Sequence, residues 1–183
     1  NTFRIGLELV LFTFPIPIFL AILINEINSK TVKRSVQTIF YLPHFFSWVL
    51  IANLVFKFLS MNGPFNAIRE LFGLDYILLM NSSKYFDLIL IASDMWKNAG
   101  WGTIVYLAAI AGISPSIYES ACIDGANRIQ RIWHITLPML VPTIVILLLL
   151  RMGQFLDIGF EFIYQFLTPI NLDNGDIIAT YNY

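Results

Sequence analysis

The sequence predicts an all-α, polytopic membrane protein, and three observations carry that expectation. Hydrophobic residues make up 57% of the chain and charged residues only 13%, whereas a soluble domain carries about a quarter charged residues. Four apolar runs each approach the roughly 20 residues that a helix needs to cross about 30 Å of hydrocarbon. Between the third and fourth runs lies ESACIDGANRIQRIWHITLP, Glu119 to Pro138, where charged, amide and small residues crowd together.

The first span is expected from about Ile5 to Ile24, with Pro15 and Pro17 placed to kink it. A basic segment follows, holding Lys30, Lys33 and Arg34. The second span is expected over Phe40 to Leu59, the third within Phe86 to Ile113, and the fourth from Leu137 to about Phe155. Apolar residues cover all faces of these runs, as they do where lipid surrounds a bundle. The tail from Ile158 to Tyr183 holds no Lys or Arg, while the polar stretch holds Arg128 and Arg131. Basic residues in short loops stay cytoplasmic, so the segment near residue 30 and the polar stretch belong on the inner side. The chain enters its first span almost at once from Asn1, without a charged leader and cleavage site, and so reads as an internal stretch of a longer protein. Residues 1–183 read as one transmembrane unit, with 114–138 as a distinct element inside it.

Several function classes are disfavoured at this level. A net charge of −1, from 11 basic and 12 acidic residues, gives no positive field for nucleic acid. Cys122 is the single cysteine, which rules out an internal disulfide framework or thiolate cluster. His44 and His134 are far apart in sequence and belong to no metal-ligand pattern, so no metal site is expected.

The polar stretch has its own local chemistry. Ser114-Pro115 offers an N-cap with proline at the first helical position, and Ser116 and Glu119 have the spacing of a capping box. Asp124-Gly125 supplies a turn, with a glycine able to take positive φ. From Ala126, Ile129, Ile132 and Trp133 recur at helical spacing, which predicts a second, amphipathic helix. Leu137-Pro138 ends or kinks that helix before the last span, where Pro142 leaves another carbonyl without its donor. On this evidence alone, two helices lying flat on the bilayer surface, with Glu119 capping its own helix, is an equally good reading.

The arrangement of residue types favours a different one. Glu119-Ser120-Ala121, three residues, Gly125, nine residues and then Ile135-Thr136-Leu137-Pro138 resembles the EAA motif of the membrane subunits of ATP-binding-cassette (ABC) importers. The motif carries Ser120 in place of the usual alanine, a small-for-small change. Asp124-Gly125-Ala126, Gln130 and Thr136 resemble the carbohydrate-uptake branch of that family, and YLPHFFSWVLIANLVFKFLSMNGPFN, the segment from Asp94-Met95-Trp96-Lys97 to Gly100-Trp101 and the tail GFEFIYQFLTPINLDNGDIIATYNY resemble its subgroup for oligosaccharides from complex polysaccharides. The resemblance implies a type I ABC importer permease-like helical bundle, with about four transmembrane helices present of a core of about six. It also implies a cytoplasmic helix-turn-helix that couples to a separate ATPase.

Carried over residue by residue, Glu119 offers a carboxylate to the ATPase groove. Ser120, Ala121, Gly125 and Ala126 permit close approach, Asp124 and Arg128 make turn or rim contacts, and Leu137 and Pro138 fix the joint to the moving span. The chain itself has no G-x-x-x-x-G-K-[ST] loop, so ATP and Mg are expected on the partner ATPase subunits, with no cofactor bound here. The implied partners are a second related permease subunit, two ATPase subunits, an external solute-binding protein and the lipid bilayer. The implied substrate is an oligosaccharide, and the implied location a bacterial inner membrane.

Polar residues in the spans are the candidates for a substrate path, because intramembrane charge is costly and faces a cavity or a partner. Asp94, Lys97 and Asn98 share a helical face; they read either as path residues or as an ion pair at the outer interface. Arg151, Gln154, Asp157 and Glu161 pose the same choice, with snorkelling open to Arg151. Trp96, Trp101, Phe155 and Tyr164 read as path residues or as an interfacial aromatic belt. Other readings of the whole are a permease for an amino acid or peptide and a secondary transporter driven by an ion gradient. A membrane enzyme lacks any supporting residue set.

Overall fold

The computed structural model describes residues 1–154 and 159–182, and every regular element in them is helical. Helices α1 (Thr2–Thr13) and α2 (Pro15–Asn25) form one bent span of 24 residues. The bend falls where Pro15 and Pro17 cannot donate to the carbonyls of Leu11 and Thr13 one turn earlier. Thr13 turns its own hydroxyl back onto the Leu9 carbonyl at 2.7 Å.

The second run departs from expectation. Helix α3 (Lys30–Tyr41) begins where a basic loop was expected, capped by Ser29. It gives way to a 3-10 turn over Leu42–Phe45, and α4 (Trp48–Leu59) starts anew behind Ser47, whose hydroxyl accepts the Leu50 N–H. The expected continuous span from Phe40 is therefore broken. Pro43 cannot supply the N–H that the Ile39 carbonyl needs, and Ser47 offers a better start than a continuation. Helix α5 (Pro64–Leu71) follows a short break, and Trp48–Leu71 as a whole is long and apolar enough to cross a membrane.

Helix α6 (Phe86–Ala111) is the axis of the bundle and packs against α1, α2, α3, α4 and the 3-10 turn. At Gly100 the α3 backbone comes so close that an added Cβ would lie 2.0 Å from the Phe40 carbonyl oxygen. Helix α7 (Pro115–Ile123) leaves α6 at 70°. Helix α8 (Arg128–Arg131), a π turn over Ile132–Thr136 and α9 (Leu137–Gly153) then make one continuous 26-residue span. Among the described residues three helices are long and apolar enough to cross a membrane, or four when the bent pair is counted as one span, in agreement with the four spans expected. The expected end of the fourth span at Phe155 lies outside the described residues.

Two apolar clusters flank the middle of α6. One gathers Ile5, Leu9, Ala52, Phe86, Ile89 and Leu90 with Phe162, Ile163 and Phe166; the other gathers Ala21, Tyr106, Ile110 and Leu140. The first depends on the tail, which folds back through α10 (Phe160–Phe166), α11 (Leu172–Gly175) and α12 (Ile178–Tyr181). Asn1 donates to the carbonyls of Asp173 and Asp176, Arg4 donates to that of Asn174 and pairs with Asp87, and Ile178 donates to the Thr2 hydroxyl. The start of the first span, the start of α6 and the tail are thus laced together at one end.

Outward faces remain apolar. Leu149 is 66% exposed and Ile146 59% on α9, whose one buried side chain is Leu140. Only hydrocarbon or another apolar chain can cover such faces without cost.

Candidate functional site

The hairpin between α6 and α9 is built from local rules, and one of them falls elsewhere than the sequence suggests. Ser114 occupies the N-cap of α7 with Pro115 behind it, but its hydroxyl meets Ser116 Oγ at 2.8 Å instead of capping. Ser116 lies inside the first turn, so the expected Ser116–Glu119 box is out of register. The capping box is found on α8, where Asn127 Oδ1 accepts the Gln130 N–H at 2.9 Å and Gln130 Oε1 accepts the Asn127 N–H at 2.8 Å. Asn127 has the extended backbone of an N-cap, and Gln130 stands three residues on.

Gly125 takes φ +80°. The Ala126 N–H returns to the Ala121 carbonyl at 2.9 Å and the Gly125 N–H to that of Cys122 at 3.1 Å. That pair of bonds is the Schellman closure of a helix, for which glycine is the least strained residue. Inside the chain no atom crowds this position, so its constraint is torsional.

Two cross-links hold the arms at a fixed angle. Tyr118 Oη lies 2.9 Å from the hydroxyl of buried Thr136, and Arg131 donates to Cys122 Sγ at 3.0 Å. Neither contact was readable from the sequence, because each joins residues on different helices. Leu137-Pro138 does not end the second arm. The Leu137 N–H reaches back five residues to Ile132, and this widened turn accommodates Pro138, which has no N–H for the His134 carbonyl.

Of the motif residues, Glu119, Ser120, Asp124, Gly125, Arg128 and Pro138 are exposed, while Ala121, Ala126 and Leu137 are half-buried. Around the turn, Ile123 is 87% exposed and Trp133 62%. Asn25, at the end of the first span, shares a cleft with Tyr118, Glu119 and Arg131, so the basic segment after that span and the hairpin lie at the same end of the bundle.

The second constellation is a polar layer between the two apolar clusters. Asp94 and Lys97 are buried, yet they form no ion pair within reach of each other. Lys97 Nζ crosses to the broken second run, donating to the His44 carbonyl at 2.8 Å and to that of Phe46, with the Trp48 ring 5.2 Å away. Asn98 Nδ2 donates to Asp94 Oδ1 at 2.8 Å, and Asn98 Oδ1 lies 3.1 Å from His44 Nδ1. An amide oxygen only accepts, so His44 Nδ1 carries the proton. His44 in turn stacks on Trp101, with ring centroids 4.5 Å apart and 4° between planes.

The remaining candidates separate. Asp94, Asn98 and Arg151 line one cavity of about 220 Å³ beside the bend at Phe14. Trp96 faces a different, apolar groove with Leu54, Phe58 and Leu88. Gln154 caps the end of α9 and is exposed, as is Glu161. Tyr164 stacks on Phe160, and Phe155 and Asp157 lie outside the described residues. Among the described residues no three His, Cys, Asp or Glu side chains gather as a metal-binding group.

A bundle of apolar helices with buried mid-span polar groups and a protruding hairpin defines a polytopic membrane protein. Residues 13–175 match the family described as the binding-protein-dependent transport system inner membrane component, and the chain belongs to that family. It is 42% identical over 179 residues to the polygalacturonan/rhamnogalacturonan transport system permease protein YteP of Bacillus subtilis (strain 168), covering 97% of this chain and 56% of that protein. It is 39% identical over 184 residues to protein LplB of the same organism, covering 100% of this chain and 58% of LplB. A chain in the crystal structure of a bacterial ABC transporter involved in the import of the acidic polysaccharide alginate matches with a TM-score of 0.96 at 47% identity, covering 100% of this chain and 64% of that one. A second crystal structure, of bacterial alginate ABC transporter in complex with alginate pentasaccharide-bound periplasmic protein, matches equally. The chain thus spans just over half the length of these curated relatives.

Proposed function

We propose that this chain is a membrane-spanning subunit of an ATP-driven importer in a bacterial inner membrane, passing an oligosaccharide delivered by an external solute-binding protein. The observation that carries this reading is the hairpin. Exposed Ile123, Ile129 and Trp133 surround Glu119, Asp124 and Arg128 on a unit whose two arms are cross-linked and whose second arm runs unbroken into α9.

Such a unit fits a groove on a separate ATPase. Its apolar tip supplies the buried contact and Glu119 a charge-assisted one. Closure of the ATPase dimer would then move α7 and α8 as a body, rotating α9 directly and α6 through the 70° joint. ATP and Mg belong to that partner, and this chain is its non-catalytic membrane element. A second permease subunit, the same or related, would complete the path and cover the apolar outer faces. The names of the relatives support a sugar chain as the solute, and the structure with a substrate-bound periplasmic protein supports delivery from outside.

An ion-driven carrier would leave the hairpin without a use. The test is reconstitution of the complete complex in proteoliposomes, with receptor proteins loaded with different solutes. Sugar-loaded receptor should stimulate ATP hydrolysis and uptake. Stimulation by amino acids or peptides, with none by any oligosaccharide, would overturn the sugar reading.

A further inference from the structure

We infer that Arg151 is a specificity-determining residue of the transport path, receiving the carboxylate of an acidic sugar unit; this rests on the oligosaccharide reading above. Arg151 lies on the inward side of α9. Leu147, one turn earlier, lines the same cavity, whereas Ile146, Leu149 and Leu150 are the exposed residues of that stretch. The cavity lies beside the junction of α1 and α2, with Thr13, Phe14 and Pro17 lining it together with Asp94 and Asn98.

The cavity walls carry the Asp94 carboxylate and the Arg151 guanidinium, which form no ion pair with each other. Asp94 accepts the Asn98 amide, and Lys97 is held by two carbonyls. The Arg151 side chain has no ion pair or hydrogen bond among the described residues, the one ion pair there being Arg4–Asp87. A guanidinium in a span is costly unless water or an anion meets it, and its planar fork matches a carboxylate with two parallel N–H···O bonds. Asn98 and Tyr106 add polar groups to the same walls, and Phe14 an apolar ring. Neutral sugars offer nothing that requires the cation.

The test compares uptake of a uronate oligosaccharide with uptake of its methyl ester, both delivered on loaded receptor to the complete complex in proteoliposomes. Wild type should prefer the acid. Arg151→Gln should lower uptake of the acid roughly tenfold or more, the loss expected for one charge-assisted hydrogen-bonded pair, with uptake of the ester unchanged. Arg151→Lys should fall between, and it carries the comparison if the glutamine variant fails to assemble. Equal losses for acid and ester, or no loss for either, overturn the assignment to Arg151 while leaving the importer intact. A wild-type complex that moves neither sugar overturns the oligosaccharide reading and this inference with it.

Discussion

Tyr118 Oη and Thr136 Oγ1 stand 2.9 Å apart, joining the first arm of the hairpin to the π turn that opens into the last described span. Thr136 is buried and Tyr118 half-buried, so the bond is shielded from water and fixes the angle between α7 and α9. Tyr118→Phe should remove it, leave the Thr136 hydroxyl without that partner, and cost about 1 kcal/mol or somewhat more. The expected result is a lower ratio of solute moved to ATP hydrolysed, with receptor binding unchanged. A ratio equal to wild type would show that the bond does not transmit motion.

Gly125 sits at φ +80° with no neighbour against it. Gly125→Ala should therefore cost only the torsional penalty, about 1–2 kcal/mol, and reduce uptake partially. Gly125→Asp adds charge and bulk at the hairpin turn and, if the hairpin docks as proposed, should abolish uptake while the external receptor still binds its solute. Full transport by the aspartate variant would count against a docking role for the turn.

Glu119 is exposed and makes no bond that holds the hairpin together. Glu119→Ala should leave the melting temperature of the membrane subunit unchanged and weaken co-purification of the ATPase subunits. Undiminished co-purification, alone and in combination with Gly125→Asp, would remove the carboxylate from the interface.

Lys97 should behave as a structural clasp. Its ammonium bonds two carbonyls at the break between the 3-10 turn and α4, and Lys97→Met would leave both, on half-buried residues, without that donor. The expected loss is roughly 1–3 kcal/mol for each group left unpaired, visible as a lower melting temperature in detergent. An unchanged melting temperature would mean that water replaces the ammonium without cost.

Gly100 is a packing position. Any Cβ there meets the Phe40 carbonyl at 2.0 Å, and backbone cannot yield as a side chain can. Gly100→Val should lower the yield of folded subunit markedly and Gly100→Ala less so, as read by size-exclusion of the solubilised protein. Normal yield for both would show that α3 shifts freely.

Much of the hairpin was legible because its rules are local. Pro115 at a first turn and Gly125 in a left-handed turn each act within one or two turns of backbone, whereas the Asn127–Gln130 box, equally local, lay one residue beyond the expected helix start at Ala126. The same locality explains the error at Ser116–Glu119, since the spacing was right but the helix began two residues earlier. The break of the second run at Pro43 and Ser47 was likewise visible in residue type, but the hydrophobic average over Phe40–Leu59 concealed it.

Hydropathy and capping depend on neighbours along the chain, so the helical class, the approximate spans and the place of the polar hairpin are legible in the sequence. The tertiary structure decided which polar groups meet. Asp94, Lys97 and Asn98 share a spacing, but Lys97 turns to the carbonyls of His44 and Phe46, while Asp94 and Asn98 line a cavity with Arg151. Two backbone carbonyls, 53 and 51 residues away in sequence, and the bend at Phe14 set those partners, and helical periodicity carries no information about either.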